Sequence, residues 1–182
     1  ILCVAVWLRV NWKIALVLLP LSFGALGWLT VDIEKIFGRA YPAYPTGEWL
    51  YLFHKENGGT GKLFKFKFLE YKPGFLKLEG EFSAETLNPS GTVQGGQMNS
   101  MLDDVTSLLF IYEAKGKQYP NSTNLHTVHH RPLFIGKAIA KAEIIKKGKN
   151  IVTIKGELYN NEGKLASTLI HSAMIMESDF KM

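Results

Sequence analysis

MNSMLDDVTSLLFIY, Met98–Tyr112, is the stretch whose reading decides the fold. Met98, Met101, Leu102, Val105, Leu108, Leu109 and Tyr112 recur at spacings of three and four, the period of an amphipathic helix of about five turns. The helix is expected to end near Lys115-Gly116-Lys117, where basic side chains suit the negative end of its dipole. It is the only long helical pattern in the body of the chain. A lone helix must bury its apolar stripe, and a curved sheet wrapped around it does so economically.

On both sides of this helix the period changes to two. Phe64, Phe66 and Phe68 alternate with Lys65 and Lys67, which predicts a half-buried strand. After a turn at Pro73-Gly74, Leu76, Leu78, Gly80 and Phe82 alternate with Lys77, Glu79 and Glu81, predicting a second strand and a hairpin. Beyond the helix, strands are predicted over Ser122–Arg131, Gly136–Lys146, Asn150–Tyr159 and Lys164–Met176. Their turns fall at Pro132, Lys147-Gly148-Lys149 and Asn160-Asn161-Glu162-Gly163. The fold class is therefore α+β, an antiparallel sheet of about six strands around one long central helix.

The composition fits one such domain with an appendage. Of 182 residues, 47% are hydrophobic and 20% charged, enough for a packed core. The net charge is +5, but the lysines lie along alternating strands as the wet face of a sheet, so nucleic acid is not an expected partner. A mildly basic surface also suits an anionic substrate. The single cysteine, Cys3, excludes an intrachain disulfide and a thiolate zinc cluster. His129 and His130 point to opposite faces of a strand, a poor metal pair, and a structural role is expected for them. Neither metal nor cofactor is expected.

Residues 1–40 form the appendage. Ile14 to Val31 carry no charge, with Arg9 and Lys13 before them and Asp32, Glu34 and Lys35 after. The segment is just long enough for a membrane span, its start on the cytoplasmic side, and it equally fits a signal-peptide core. The chain opens on Ile1 and its first methionine is Met98, so a fragment, a processed product or an artefact of the gene boundary fits as well. A linker and short helix are expected over residues 41–60: Pro42, Pro45 and Gly47, then an amphipathic piece, Glu48 to Glu56, stopped by Asn57-Gly58-Gly59.

The chemistry is expected in NPSGTVQGGQ, Asn88–Gln97, and the helix that follows it. Gly95-Gly96 sits where that helix begins, and a helix start presents unbonded N–H groups and partial positive charge. Glycines there let a substrate approach the backbone, so a carbonyl can be polarised and its oxyanion held. Asp103 lies two turns further on, beside Leu102 of the apolar stripe, with Asp104 rotated about 100° around the helix. Spacing alone leaves both acids open between solvated side chains and working groups.

Asn88, Gln94-Gly95-Gly96 and Asp103 resemble the signature of the PaaI-like acyl-CoA thioesterases, a hotdog-fold family. That signature is Asn, five residues, His-Gly-Gly, and an Asp nine positions after the His. Arg131-Pro132, Gly136 and Asn161-Glu162-Gly163-Lys164-Leu165 also match, and the resemblance covers the body, residues 61–182, and none of the appendage. It implies hydrolysis of acyl-CoA by a cytoplasmic thioesterase domain. Asp103 would be nucleophile or general base, the Gly95 N–H would bind the thioester oxygen, and Asn88 would orient the carbonyl or the water. Gln94, Gly96, Ser122 and Arg131 are the further substrate-binding candidates. In the relatives Asp comes from the dimer partner, so a homodimer or homotetramer is implied. Gln94 departs from the family's His: it can still hydrogen-bond but cannot titrate. A non-catalytic acyl-ligand binding protein is therefore the alternative. A hotdog dehydratase ranks below both, because that chemistry normally pairs a His with a carboxylate and Asn88–Asp103 contains no His.

Overall fold

The computed structural model describes residues 3–10, 13–20 and 59–178, in two units divided after Pro42. In the first unit β1 (Cys3–Val10) pairs antiparallel with β2 (Lys13–Pro20), Cys3 opposite Pro20 and Val10 opposite Lys13. Ile14 to Pro20 of the uncharged stretch thus lie in a strand, and residues 21–31 lie outside the described residues. The expected linker and the Glu48–Glu56 piece lie outside them too. Among the described residues no helix is long and apolar enough to cross a membrane.

Gly61–Phe64 is a single helical turn, α1, not the start of a strand. Lys65 ends it in the left-handed conformation (φ 49°), and β3 begins only at Lys67 (Lys67–Lys72). Phe64 is fully buried, its ring 5.8 Å from Phe66 and 5.6 Å, edge-on, from Phe82. The alternation at 64–68 therefore spans two elements. A bulge between Phe68 and Glu70 also breaks the register with the next strand.

The rest follows the predicted order. β4 (Phe75–Phe82) is followed by a 3-10 turn at Ala84–Thr86, then α2 (Gly95–Glu113). Next come β5 (Gln118–His129), β6 (Gly136–Lys147), β7 (Ile151–Tyr159) and β8 (Leu165–Glu177). They form one six-stranded antiparallel sheet in the order β3-β4-β6-β7-β8-β5, with β5 at an edge. The helix ends at Glu113, two residues short of Lys115. Lys115 and Gly116 take positive φ, and the Gly116 N–H closes back on the Ile111 carbonyl.

Helix α2 lies across β4 to β8. The inward residues follow period two: Leu76, Leu78 and Phe82 on β4, Ala138, Ala140 and Ala142 on β6, Val152, Ile154 and Leu158 on β7. Opposite them, Met98, Met101, Leu102, Val105, Leu108, Leu109 and Tyr112 of the helix are buried, as their spacing predicts. Glycine sets how close the helix comes. A β-carbon on Gly80 would stand 2.7 Å from Met101 Cε, and one on Gly156 would stand 3.2 Å from both Leu102 Cδ2 and Thr106 Cγ2. At the far end, Glu113 accepts hydrogen bonds from the Tyr71 hydroxyl (2.7 Å) and the Gly74 N–H (2.8 Å), fixing the β3–β4 turn to the helix.

Candidate active site

Helix α2 carries two candidate regions on one rod. Its N-terminus is set by the loop before it: Leu87 bridges Val93, the Val93 N–H donates to the Leu133 carbonyl (2.8 Å), and the Gln94 N–H donates to Thr86 (2.8 Å). Asn88 organises this loop. Its Oδ1 accepts the N–H groups of Ser90 (2.9 Å) and Thr92 (3.2 Å), and its Nδ2 donates to Thr92 Oγ1 (2.9 Å). One amide hydrogen of Asn88 is left over. Gln94 is the N-cap by position, yet its side chain is exposed and makes no capping bond. The Gly95 and Gly96 N–H groups take no hydrogen bond among the described residues, which leaves them for a ligand. An open cavity of about 290 Å³ lies here, and His129, His130 and Arg131 line it together with Val93, Gly95, Met98 and Pro132. Arg131 donates from Nη1 to the Leu165 carbonyl across the strand end.

The second region lies two turns along. Ser122 sits at a bulge in β5, where the register with β8 shifts between Ser122 and Asn124, and the bulge re-aims its side chain. Ser122 Oγ donates to Asp103 Oδ1 (3.1 Å). Behind it stands His171 of β8, fully buried, with Nε2 3.0 Å from Ser122 Oγ and 3.8 Å from Asp103 Oδ1. Its Nδ1 lies 2.8 Å from Thr106 Oγ1. The Ser122 proton goes to Asp103, so the His171 Nε2–H donates to Ser122, while the one Thr106 proton is shared between His171 Nδ1 and the Leu102 carbonyl, each 2.8 Å away. The bonds from His171 and Ser122 then point toward the carboxylate. Burial pushes His171 below the usual imidazole range, and the Asp103 charge works against that shift.

His171 is the residue that sequence reasoning missed. The available signal was its phase: it alternates with Ser167, Leu169 and Ala173 on the inward face of β8, where a polar ring needs a partner. Ser122 came from the resemblance, and the chain fold puts it against Asp103. Asp103 and Gly95, in contrast, are not brought together: eight residues of helix separate them by about 12 Å.

Asp104 faces differently from its neighbour. It accepts a hydrogen bond from the Thr60 hydroxyl, and its pKa is pushed up from 3.8 to about 7. Burial is the main cause and the negative charge of Asp103 the second, while a hydrogen bond from the Thr60 backbone pulls the other way. A folded pKa above the unfolded one means that the native state holds a proton the unfolded chain releases. That contribution is complete below about pH 4 and is lost as pH rises through about 7. Asp104→Asn is therefore expected to raise the melting temperature over the unsubstituted protein at about pH 8, with the gain shrinking toward about pH 4. Thermal denaturation at the two pH values measures this, and an equal difference at both would contradict it.

An antiparallel sheet curled around one long helix, with a carboxylate on that helix and free N–H groups at its start, defines the hotdog class of thioester-handling domains. A family model described as the thioesterase superfamily matches residues 90–167. A phenylacetic acid degradation-related protein from Ralstonia eutropha is 30% identical, with TM-score 0.57 over 63% of this chain and 87% of that one. Zebrafish thioesterase superfamily member 2 is 21% identical, with TM-score 0.62 over 70% and 93% of the two chains. A Streptococcus mutans protein solved with acetyl CoA bound is 12% identical, with TM-score 0.57 over 62% and 90%. No curated protein sequence matches. The chain belongs to the thioesterase superfamily, as a PaaI-like hotdog protein.

Proposed function

We propose that this protein hydrolyses acyl-CoA thioesters to a free acid and CoA. The observation that carries the reading is the Ser122 bond to Asp103 Oδ1, backed by buried His171, on the helix whose first N–H groups are unbonded. The thioester oxygen is held by the Gly95 N–H, and Asn88 offers its remaining amide hydrogen to the carbonyl or the water. Asp103 takes a proton from water as the new C–O bond forms. The C–S bond then breaks, and the thiolate recovers that proton. Arg131 borders the substrate beside Gly95, and Gln94 and Gly96 stand exposed next to it.

The 12 Å between Gly95 and Asp103 is too far for one thioester carbon to touch both. The working unit therefore combines Gly95 of one copy with Asp103 of another, in a homodimer or a tetramer built from it. The exposed residues of edge strand β5, which carries Ser122, suit that role. The acetyl CoA bound by the Streptococcus mutans neighbour supports the substrate class.

Thiol release from a panel of acyl-CoA esters tests the reading, with a thiol-reactive dye as readout. Turnover of at least one ester is expected. Saturable binding of acyl-CoA with no thiol released from any chain length would replace the enzyme with the binding protein.

A further inference from the structure

The imidazole missing at position 94 has a counterpart on another strand. The place that a β-carbon on Gly95 would take lies 3.0 Å from His129 Nε2 and 3.4 Å from its Cδ2. Cα–Cβ bonds tilt toward the start of a helix, so this ring edge lies over the end of α2 where the Gly95 and Gly96 N–H groups are unbonded. His129 and Gly95 also line the same cavity. The ring is held from behind: His129 Nδ1 stands 2.9 Å from Ser167 Oγ, and Ser167 is fully buried.

Ser167 decides what Nε2 offers. Its one hydroxyl proton can go to His129 Nδ1, or to the Val128 carbonyl at 3.2 Å. The first contact has a normal hydrogen-bond length and the second is long for an O–H donor, so the proton belongs on the path to Nδ1. A ring that accepts at Nδ1 carries its proton on Nε2, as a donor facing Gly95.

We propose that His129 is a catalytic residue of the thioester site, its Nε2–H and the Gly95 N–H together holding the carbonyl oxygen as it gains negative charge. Ser167 is the positioning residue that keeps the ring in its donor tautomer. The inference rests on the thioesterase reading above and adds a donor to it. It also accounts for Gln94: a donor delivered by β5 leaves position 94 free of that duty. Gly95 is then required twice, for its N–H and for the space the ring fills.

The test compares the unsubstituted protein with His129→Ala, His129→Gln and Ser167→Ala. Removing one oxyanion donor is expected to lower kcat about 10²–10³-fold while KM moves little. Glutamine, with an amide hydrogen to donate, should regain part of the loss, and Ser167→Ala should fall between. The second readout is the carbon-13 signal of the carbonyl in bound acetonyl-CoA, a ketone in which a CH2 stands between the sulfur and the carbonyl. Two donors shift that signal downfield of its free position, and His129→Ala should move it back. If kcat of His129→Ala stays within about threefold while Asp103→Asn is inactive, His129 is not a donor and the thioesterase reading survives. If the unsubstituted protein releases no thiol, the thioesterase reading fails. The ketone then decides on His129 alone: an unchanged signal, or no binding, overturns the proposal. Thermal denaturation of each variant separates loss of the group from loss of the fold, and His129→Gln is the variant that must fold for the comparison to count.

Discussion

Asp103→Asn is expected to lower kcat by about 10²–10⁴-fold, the range general-base catalysis contributes, with KM little changed. Asparagine has the same shape, and its Oδ1 can still accept the Ser122 hydrogen bond. What it loses is the ability to take a proton from water. The substitution also leaves the packing of α2 undisturbed, because the Asp103 side chain is 37% exposed and sits beside the buried stripe rather than in it. Steady-state thiol release across the acyl-CoA panel measures the effect. A kcat within about threefold of the unsubstituted protein would remove Asp103 from the chemistry and leave Asp104 as the acid to examine. Circular dichroism at the assay temperature shows that the variant is folded.

Phe82→Ala should cost about 3–5 kcal/mol of stability, as large-to-small changes of a buried aromatic do. Phe82 is fully buried at the end of β4, opposite Gly136 of β6, and its ring meets Phe64 edge-on at 74°. Its removal leaves Phe64 without that partner and opens a void that strands on both sides cannot close. Urea denaturation should show a lower midpoint with the slope unchanged. A loss below about 1 kcal/mol would mean that this corner of the core collapses onto the gap, and that Phe64 does not depend on Phe82.

Phe82 also marks how far the sequence could be read. Alternation from Leu76 to Phe82 put the right side chains inward, and the three-and-four spacing of Met98–Tyr112 placed the helix stripe, because each pattern repeats within one element. Phe64–Phe68 obeyed the same period and misled: Lys65 turns left-handed between two elements, and a backbone angle leaves no trace in a hydrophobic pattern. Asp103, Gly95 and Asn88 became site candidates through the resemblance to a family signature, which could be read because they lie within sixteen consecutive residues. His171 and His129 did not. Their relations to Ser122 and to Gly95 span 49 and 34 residues and exist only through strand pairing and helix packing. His129 closes β5 and His130 lies just beyond it; the two rings bond to different hydroxyls, Ser167 and Thr168, yet border the same cavity.

Gly80, Gly156 and the alanines of β6 bring α2 down onto the sheet, so on the proposed acyl-CoA reading a long tail would meet close-packed side chains between the layers. Such a tail would run instead over surfaces that the fold does not need. Tolerance for long or short, branched or aromatic acyl groups can then drift by substitution at exposed positions while the scaffold keeps its stability. One ancestral architecture can in this way serve many metabolic niches.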